Sequence, residues 1–510
     1  MLENILNGAL VAFQWHHILL ALLGAILGTI FGAMPGVSAT LSIALLVPIT
    51  FDMHPATGLI FLGAVYCGAI YGGSISGILI NVPGTPAAVA TMIDGYEMTK
   101  KGKGGLALGV TICASLIGGQ FSVLVLLFLA PLVASVALEV RSAEFFWIVV
   151  FAMSTIGAIG AGSAIKGLMS GVIGLVLGTV GMHPMTGTLR FAFDQPALYE
   201  RVPVIVALVG LFSISQVLYL AEGKGMDTQL KIPEVGNLWP GKALLWKLKA
   251  IIARSSIIGT VVGIIPGAGA DIAAFIGRTE ARRYSKNPGE FGKGSVEGVA
   301  GAEAANNAVV GGSLIPMLTL GIPGNAVTAA LLGGLLIHGL IPGPNLFNDA
   351  PDVLYPFILS LFLANLFFAI VGFAGLKYMA KVVLVPQGII AAVVTALAVI
   401  GAFSYRNLEF DMWIMASLGL VGYILRKADF PLAPIILGII LGPMAEENLD
   451  RVMTLAGAHQ MNVFQFFLSR GLTIALMAMT FAAIGYSFYR DYAFRKEEAA
   501  NIAAGIDVGK

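Results

Sequence analysis

Long uncharged stretches alternate along the chain with short clusters of charge. Four stretches contain no Lys, Arg, Asp or Glu: 4–51, 53–93, 105–138 and 304–348. Each is longer than the roughly 20 apolar residues that cross a bilayer as a helix. The pattern therefore predicts an all-α polytopic membrane protein with about ten to twelve membrane segments.

Lys and Arg gather in three clusters, at 100–103, 242–254 and 278–293. Because short cytoplasmic loops carry an excess of Lys and Arg, we place all three clusters in the cytoplasm. Arg406 and an acidic loop around Glu446 are predicted on the opposite side. The apolar segments around and beyond these clusters are predicted at 105–138, 144–162, 167–182, 203–221, 296–338, 353–375, 387–404, 411–425, 430–445 and 465–489.

The composition narrows the class of protein. Of the 510 residues, 57% are apolar and 11% are charged, with 29 basic side chains against 28 acidic ones. So few charges disfavour a soluble enzyme, and the balance offers no basic face for a nucleic acid. The six His and two Cys residues lack ligand spacing, and no phosphate-binding loop or protease group stands out. Neither a metal site beyond a bound sodium ion nor an enzyme is expected.

Two parts of the chain repeat. Residues 28–36 and 259–267 share five identities in nine positions, and both end in Pro-Gly. Gly-Gly-Ser at 72–74 and at 311–313 is followed in each case by a second Pro-Gly, with one residue inserted. In both halves glycine also recurs every four residues, which predicts close packing of helices.

Loops at equivalent positions of the two halves differ in charge. The loop at 100–104 is basic, whereas 341–352 has no Lys or Arg. Opposite charge bias predicts opposite insertion, which is the inverted repeat of secondary transporters. The predicted division is a first membrane repeat at 1–222, a cytoplasmic linker at 223–250, a second membrane repeat at 251–490 and a cytoplasmic tail at 491–510.

Each half contains two Pro-Gly breaks in apolar sequence. They are break 1 at 34–38, break 2 at 81–86, break 3 at 265–269 and break 4 at 321–325. Proline removes a helix hydrogen bond, and irregular backbone at membrane depth persists only where it is buried or lines a cavity. The breaks are therefore interpreted as interrupted helices at a binding site, and the alternative is simple kinks in glycine-rich packed helices.

Each break ends at, contains or is closely followed by a residue that can cap a helix, namely Ser38, Thr85, Asp271 and Asn325. Helix N-termini favour an anion such as a carboxylate, and carbonyls at helix C-termini favour a small cation. The residues predicted to bind substrate are Gly36, Ser38, Asn81, Pro83, Gly84, Thr85, Gly267, Gly269, Pro323, Gly324 and Asn325. The residues predicted to bind the cation are Asp271, Pro35 and Pro266.

The sequence leaves open which breaks are hairpin tips. The segment 254–278 is basic at both ends, so break 3 fits a re-entrant hairpin; the alternative places hairpins at 74–98 and 313–337. We favour two hairpin tips and two unwound helices that meet across the repeat interface. The trio Glu303, Asn306 and Asn307 is interpreted either as the lining of a cavity or ion path, or as a set of satisfied hydrogen bonds between helices.

Several motifs together resemble one family. They are Gly-Ala-Met-Pro-Gly at 32–36, Tyr-Gly-Gly-Ser at 71–74 leading to 81–86, Asp-Gly-Tyr at 94–96, Lys-Lys-Gly at 100–102, and the segments 263–271 and 321–325. The combination resembles the large membrane subunit of tripartite tricarboxylate transporters, the TctA type.

The resemblance implies a secondary transporter of the bacterial inner membrane. It also implies a small four-helix membrane subunit, a periplasmic solute-binding protein that delivers a carboxylate, and coupling to Na⁺ or H⁺ without another cofactor. The alternative function is a passive channel or a non-transporting structural membrane subunit.

Overall fold

The computed structural model describes residues 1–159, 164–222 and 235–503. The first ten helices are α1 Leu2–Ala12, α2 Trp15–Ala33, α3 Ala39–Leu46, α4 Pro55–Ile80, α5 Ala88–Lys100, α6 Gly104–Ala137, α7 Ser142–Ile159, α8 Ala164–Gly178, α9 Val204–Leu208 and α10 Ser215–Glu222. The others are α11 Lys242–Ile264, α12 Gly269–Tyr284, α13 Val296–Leu320, α14 Ala326–Ile337, α15 Leu346–Asp349, α16 Pro351–Val382, α17 Gln387–Arg406, α18 Glu409–Lys427, α19 Ala433–Ala458, α20 Val463–Leu468 and α21 Gly471–Ala503. Two short strands, β1 Gly181–Met182 and β2 Leu189–Arg190, pair antiparallel. Parts of the predicted linker and tail, at 223–234 and 504–510, lie outside the described residues.

Seven helical stretches within the described residues are long and apolar enough to cross a membrane, which confirms the all-α polytopic class. They are Trp15–Ala33, Pro55–Ile80, Gly104–Ala137, Val204–Glu222, Pro351–Leu376, Gln387–Arg406 and Gly471–Tyr489. Four shorter apolar helices add to them: Ala39–Thr50, Ser142–Thr155, Ala164–Gly178 and Ala326–Ile337. Two of these, Ala39–Thr50 and Ala326–Ile337, directly follow break 1 and break 4.

The chain divides into two compact units. Unit 1 comprises Met1–Leu138 and Ile205–Tyr423, and unit 2 comprises Glu139–Val204 and Ile424–Lys510. Each unit takes segments from both predicted halves. All four breaks belong to unit 1, so the candidate site lies within one unit.

Unit 2 contains a buried ion pair and a partly exposed one. Arg470 Nε lies 2.7 Å from Oε1 of Glu144, which is fully buried. Arg190 donates to both carboxylate oxygens of Glu446, at 2.5 and 2.9 Å, and this hydrogen bonding holds the pKa of Glu446 below its usual value. Glu446 lies inside α19, so the predicted acidic loop is wrong: the helix continues past Gly442-Pro443 to Ala458.

The core of unit 1 is built on α4 and α13, which run antiparallel. Tyr66 OH lies 3.1 Å from Ser313 Oγ, and Ser74 Oγ donates to Glu303 at 2.5 Å, so the residue number rises along one helix as it falls along the other. The membrane-length stretch of α4 is completely buried. These two helices therefore form the framework on which the breaks are arranged.

Glycines allow the neighbouring helices to approach this framework. A Cβ added to Gly28 of α2 would stand 2.2 Å from the Val65 carbonyl oxygen of α4. In the second half, a Cβ on Gly259 of α11 would stand 2.2 Å from the Ala305 carbonyl oxygen of α13. Both distances are far shorter than a van der Waals contact, so only glycine fits, and the predicted role in close packing is confirmed.

The first break of each half is the tip of a helical hairpin. His17, at the start of α2, lies 3.0 Å from Thr57 at the start of α4, and Thr50, which follows α3, packs beside Gly58 at the same end. In the second half, the guanidinium of Arg254 on α11 lies 4.1 Å from the centre of the Tyr284 ring at the end of α12. Break 1 and break 3 therefore reverse the chain.

The second break of each half interrupts a helix that then continues in the same direction. After break 2, the Gly84 N–H donates to the Gly73 carbonyl at 3.0 Å, and Thr99 near the end of α5 donates to the Ile78 carbonyl at 2.7 Å. At break 2 the chain therefore returns to the level of Gly73, and α5 then runs beside α4 in the same direction as α4. This is the favoured arrangement of two hairpin tips and two unwound helices.

Break 4 likewise interrupts a helix that then continues in the same direction. Asn325 donates to Tyr66 OH at 3.0 Å, whereas His338, past the end of α14, reaches Thr50 at 3.2 Å, near the start of α4. Since α14 runs against α4, it continues the direction of α13. At the opposite end of unit 1, Lys101 Nζ donates to the Lys293 carbonyl at 2.5 Å, so the two hairpins open at opposite ends.

Candidate functional site

Within each half, the hairpin contacts the interrupted helix. A Cβ on Gly84 in break 2 would stand 2.0 Å from the carbonyl oxygen of Gly32, just before break 1. In the second half the Gly267 N–H of break 3 donates to the Gly324 carbonyl of break 4 at 2.7 Å. Break 1 therefore lies beside break 2, and break 3 beside break 4.

Two of the helices that follow breaks have side-chain caps, and we call α3 and α14 the capped pair. Ser38 Oγ accepts the Leu41 N–H at 3.2 Å, and Asn325 Oδ1 accepts the Thr328 N–H at 2.9 Å. Thr328 in turn accepts the Asn325 N–H at 2.9 Å, which completes a capping box. The two helices pack against each other. The predicted caps Ser38 and Asn325 are confirmed.

The other two such helices, α5 and α12, have no side-chain cap, and we call them the uncapped pair. Their N-cap residues are Ala87 and Ala268. The predicted caps Thr85 and Asp271 are wrong: the Thr85 carbonyl accepts the Ala88 N–H in a turn before α5, and Asp271 lies in the first turn of α12. The uncapped pair meets through Ala87, Ala90, Ala270, Ala273 and Ala274.

Buried hydroxyls lie beside the uncapped pair. Thr85 Oγ1 and Ser76 Oγ have no hydrogen-bond partner among the described residues. A Cβ on Gly73 would stand 2.3 Å from Thr85 Oγ1, and one on Gly84 would stand 3.1 Å from Ser76 Oγ, so both hydroxyls adjoin break 2. An unpaired buried polar group costs free energy, and a hydrogen bond from a ligand would remove that cost.

The predicted site residues differ in exposure. Those buried are Pro35, Gly84, Thr85, Gly269, Pro323 and Gly324, those partly buried are Ser38, Pro83, Pro266, Gly267 and Asn325, and those exposed are Gly36, Asn81 and Asp271. Asn81 ends α4 in the left-handed conformation, with φ 59°, as Gly321 ends α13 with φ 72°. In the described part of the chain no group of three or more His, Cys, Asp or Glu could hold a metal ion. Cation binding at Asp271, Pro35 and Pro266 stays a prediction.

A buried ion pair joins α5 to α12. Arg278 Nε donates to Asp94 Oδ2 at 2.8 Å, and the N–H groups of Gly292 and Ser295 donate to Oδ1 at 2.6 and 3.0 Å. Asp94 is fully buried. Sequence reasoning missed this contact because 184 residues separate the partners, although the Asp-Gly-Tyr motif was a signal.

The polar trio of α13, Glu303, Asn306 and Asn307, agrees only in part with either predicted role, the lining of a cavity or ion path or a set of satisfied hydrogen bonds between helices. Glu303 accepts hydrogen bonds from hydroxyls of α4, α5 and α6, which are contacts between helices. Asn307 Nδ2 donates to Ser115 Oγ at 2.8 Å, but Oδ1 of Asn306 and of Asn307 has no partner among the described residues. The trio is thus only partly satisfied.

Comparison with known proteins identifies a matching family and two relatives. The model of the tripartite tricarboxylate transporter TctA family matches residues 18–437. A protein of Agrobacterium vitis named "Uncharacterized 52.8 kDa protein in TAR-I ttuC' 3'region" is 35% identical over 484 residues, which cover 95% of each chain. The "Uncharacterized protein in TAR-II ttuC' 3'region" of the same organism is 36% identical over 198 residues, 39% of this chain and 82% of that protein. No solved structure matches the chain.

Family membership implies a transporter rather than an enzyme, and a tripartite system with other subunits and a binding protein. The family model covers break 1, break 2, break 3 and break 4. The chain therefore belongs to the tripartite tricarboxylate transporter TctA family, as its motifs predicted.

Proposed function

We propose that this chain is the large membrane subunit of a cation-coupled secondary transporter in a bacterial inner membrane. It imports a di- or tricarboxylate that a periplasmic solute-binding protein delivers, and it works with a small four-helix membrane subunit. The coupling ion is Na⁺ or H⁺. Family membership supports the transporter class, and the geometry of unit 1 supports the site.

The observation that carries the proposal is the uncapped pair. The N-termini of α5 and α12 lie together, without side-chain caps, beside the unpaired hydroxyls of Thr85 and Ser76. A helix N-terminus carries about half a positive charge, which suits a carboxylate. At α5 the N–H groups of residues 88–90 already donate to the carbonyls of residues 85–87, so the helix dipole and the hydroxyls would hold the anion there. Since break 1 to break 4 contain no Lys or Arg, helix ends and the co-transported cation would supply the positive charge.

Opposed hairpins support alternating access. The hairpin at break 1 opens beside His338, and the hairpin at break 3 opens beside Lys101 and Lys293. We propose that the halves are inverted repeats and that the Lys101 end faces the cytoplasm, in agreement with the positive-inside rule. One half can then expose the bound substrate to the periplasm and the other to the cytoplasm.

Uptake by proteoliposomes tests this function. Vesicles that contain the chain and the small subunit are given labelled di- and tricarboxylates, with and without the binding protein. We expect saturable uptake that requires the binding protein and a Na⁺ or H⁺ gradient. Uptake that is independent of both the Na⁺ and the H⁺ gradient would contradict the proposed coupling to a cation.

The alternative, a passive channel or a structural subunit, makes a different prediction. A channel would give flux that rises with concentration without saturation and needs no binding protein. A structural subunit would give no flux in any combination of components. The same vesicles therefore distinguish all three functions.

A further inference from the structure

Glu303 lies at the centre of a hydrogen-bonded cluster between four helices. Its side chain on α13 is fully buried. Ser74 of α4 donates to Oε1 at 2.5 Å, Ser115 of α6 donates to Oε2 at 2.8 Å, and Thr91 of α5 also donates to Oε1. One carboxyl group thus joins helices that are far apart in the sequence.

Among the described residues, no Lys, Arg or His forms an ion pair with Glu303. The charged side chains at the neighbouring contact of α5 and α12, Asp94 and Arg278, bind each other. Two other titratable side chains lie near this group, Tyr71 of α4 and Cys113 of α6, and both are buried and uncharged in their ordinary form. Gly259 and Gly263, where α11 meets α13, lie in a stretch without a charged residue, 255–264, and α14 contains none either.

Two opposing effects act on this carboxyl group. An ionised carboxylate that is buried without a countercharge loses hydration that the protein interior does not replace. Three hydroxyl donors, however, stabilise the same charged form. Burial thus favours the protonated form and the donors favour the ionised form, as a group that takes up and releases a proton requires.

Glu303 also lies where its charge acts on break 2. Ser74 follows Gly73, whose carbonyl accepts the Gly84 N–H at 3.0 Å, and Thr91 lies on α5 beyond the break. Glu303 thus holds together the two helices that flank break 2. A protonated carboxyl group has less capacity to accept hydrogen bonds than a carboxylate, so proton binding weakens this connection.

We propose that Glu303 binds the coupling proton, with Ser74, Thr91 and Ser115 as its hydrogen-bond partners. The proposal rests on the proposed function and selects H⁺ from the two cations named there. A proton needs a single acceptor, whereas a hard metal ion takes about six oxygen ligands around one point. The oxygens around Glu303 lie at hydrogen-bond distance from its carboxylate, with Ser74 at 2.5 Å and Ser115 at 2.8 Å, so hydrogen bonds rather than a shared metal ion join them.

Infrared difference spectra of the purified full chain, recorded as the pH is lowered, test the proton site without transport. We expect the wild-type chain to show the band of a carboxyl group that becomes protonated in an apolar environment. Glu303→Gln should lack this band. Glu297→Gln, the same substitution in the first turn of α13, should retain it.

Retention of the band in Glu303→Gln overturns the proposal, and so does a wild-type band that responds to Na⁺ at constant pH but not to pH. Ser115→Ala keeps the test decisive if Glu303→Gln does not fold. It removes one donor to the charged form, so its band should appear at higher pH than in the wild type. An unshifted band contradicts the proposal.

Proteoliposomes connect the site to transport. Glu303→Gln should lose uptake driven by a pH gradient and retain exchange of labelled for unlabelled substrate, because exchange needs no net proton movement. Uptake equal to wild type would overturn the role in coupling. If the wild-type chain moves no carboxylate at all, the proposed function fails, while the infrared band still decides whether Glu303 binds a proton.

Discussion

The capped pair and the uncapped pair begin from similar sequence and end with different chemistry. All four helices follow a Pro-Gly break in unit 1. Ser38 and Asn325 accept hydrogen bonds from N–H groups of α3 and α14. Ala87 and Ala268 have no side-chain atom that can accept such a bond from α5 and α12. A side-chain cap places an oxygen atom at the helix N-terminus, where an anion would otherwise bind, so the uncapped pair is the better place for a carboxylate.

The two pairs also differ in how they are fixed. The capped pair is joined to α4 through neutral groups, with Asn325 donating to Tyr66 OH at 3.0 Å. The uncapped pair is joined by the buried ion pair of Asp94 and Arg278. The N-termini of α5 and α12 are thus held in position by contacts farther along the helices.

Among the substitutions that test how the two pairs are fixed, Asp94→Asn should have the largest effect on stability. It leaves the guanidinium of Arg278, only 14% exposed, without its charged partner, which costs about 3–5 kcal/mol when such a pair is buried. The midpoint of thermal unfolding in detergent should fall. Glu97→Gln on the same helix is the control, because the pair of Glu97 with Lys100 is partly exposed and contributes at most about 1 kcal/mol. Equal stability of the two variants would show that the ion pair does not hold the uncapped pair.

Gly84→Ala should have the next largest effect and lower the free energy of unfolding by about 1–3 kcal/mol. Its Cβ would stand 2.0 Å from the Gly32 carbonyl oxygen, and neither backbone can give way easily. Gly324→Ala, before the capped α14, should cost less because its nearest contacts are 2.7 Å to Ser313 Cβ and 2.8 Å to the Gly263 carbonyl oxygen. Thermal unfolding measures both, with Gly289→Ala as the control, since nothing lies within 4 Å of its added Cβ. A reversed order would contradict the tighter packing at break 2.

Ala268→Asp tests the anion site with a smaller effect. The added carboxylate caps α12 and repels a bound carboxylate, so uptake at low substrate concentration should fall by about tenfold at most. Asn325→Asp adds the same charge to the capped α14, and we expect a smaller loss. Ala350→Asp, at the uncapped start of α16 away from the breaks, is the control for charge alone. If Asn325→Asp impairs uptake as strongly as Ala268→Asp, the two pairs do not differ in anion binding.

Local chemistry was predictable where neighbours in sequence decide it. Ser38 and Asn325 cap helices because their side chains reach N–H groups three residues later. Thr85 and Asp271 failed as predicted caps because each helix starts elsewhere: the turn at Thr85 delays α5, and α12 already begins at Gly269. A one-dimensional pattern cannot locate a helix start to within a residue or two when tertiary contacts shift it.

The sequence by itself determined the membrane class, the four breaks and the family, because apolar length, Pro-Gly pairs and motif order are local properties. Only the tertiary structure decided that break 1 and break 3 are hairpin tips and that the other two interrupt helices. It alone also brought Asp94 to Arg278 and three hydroxyls to Glu303. Those contacts join residues 184 to 229 positions apart, and only the packing of helices selects such partners.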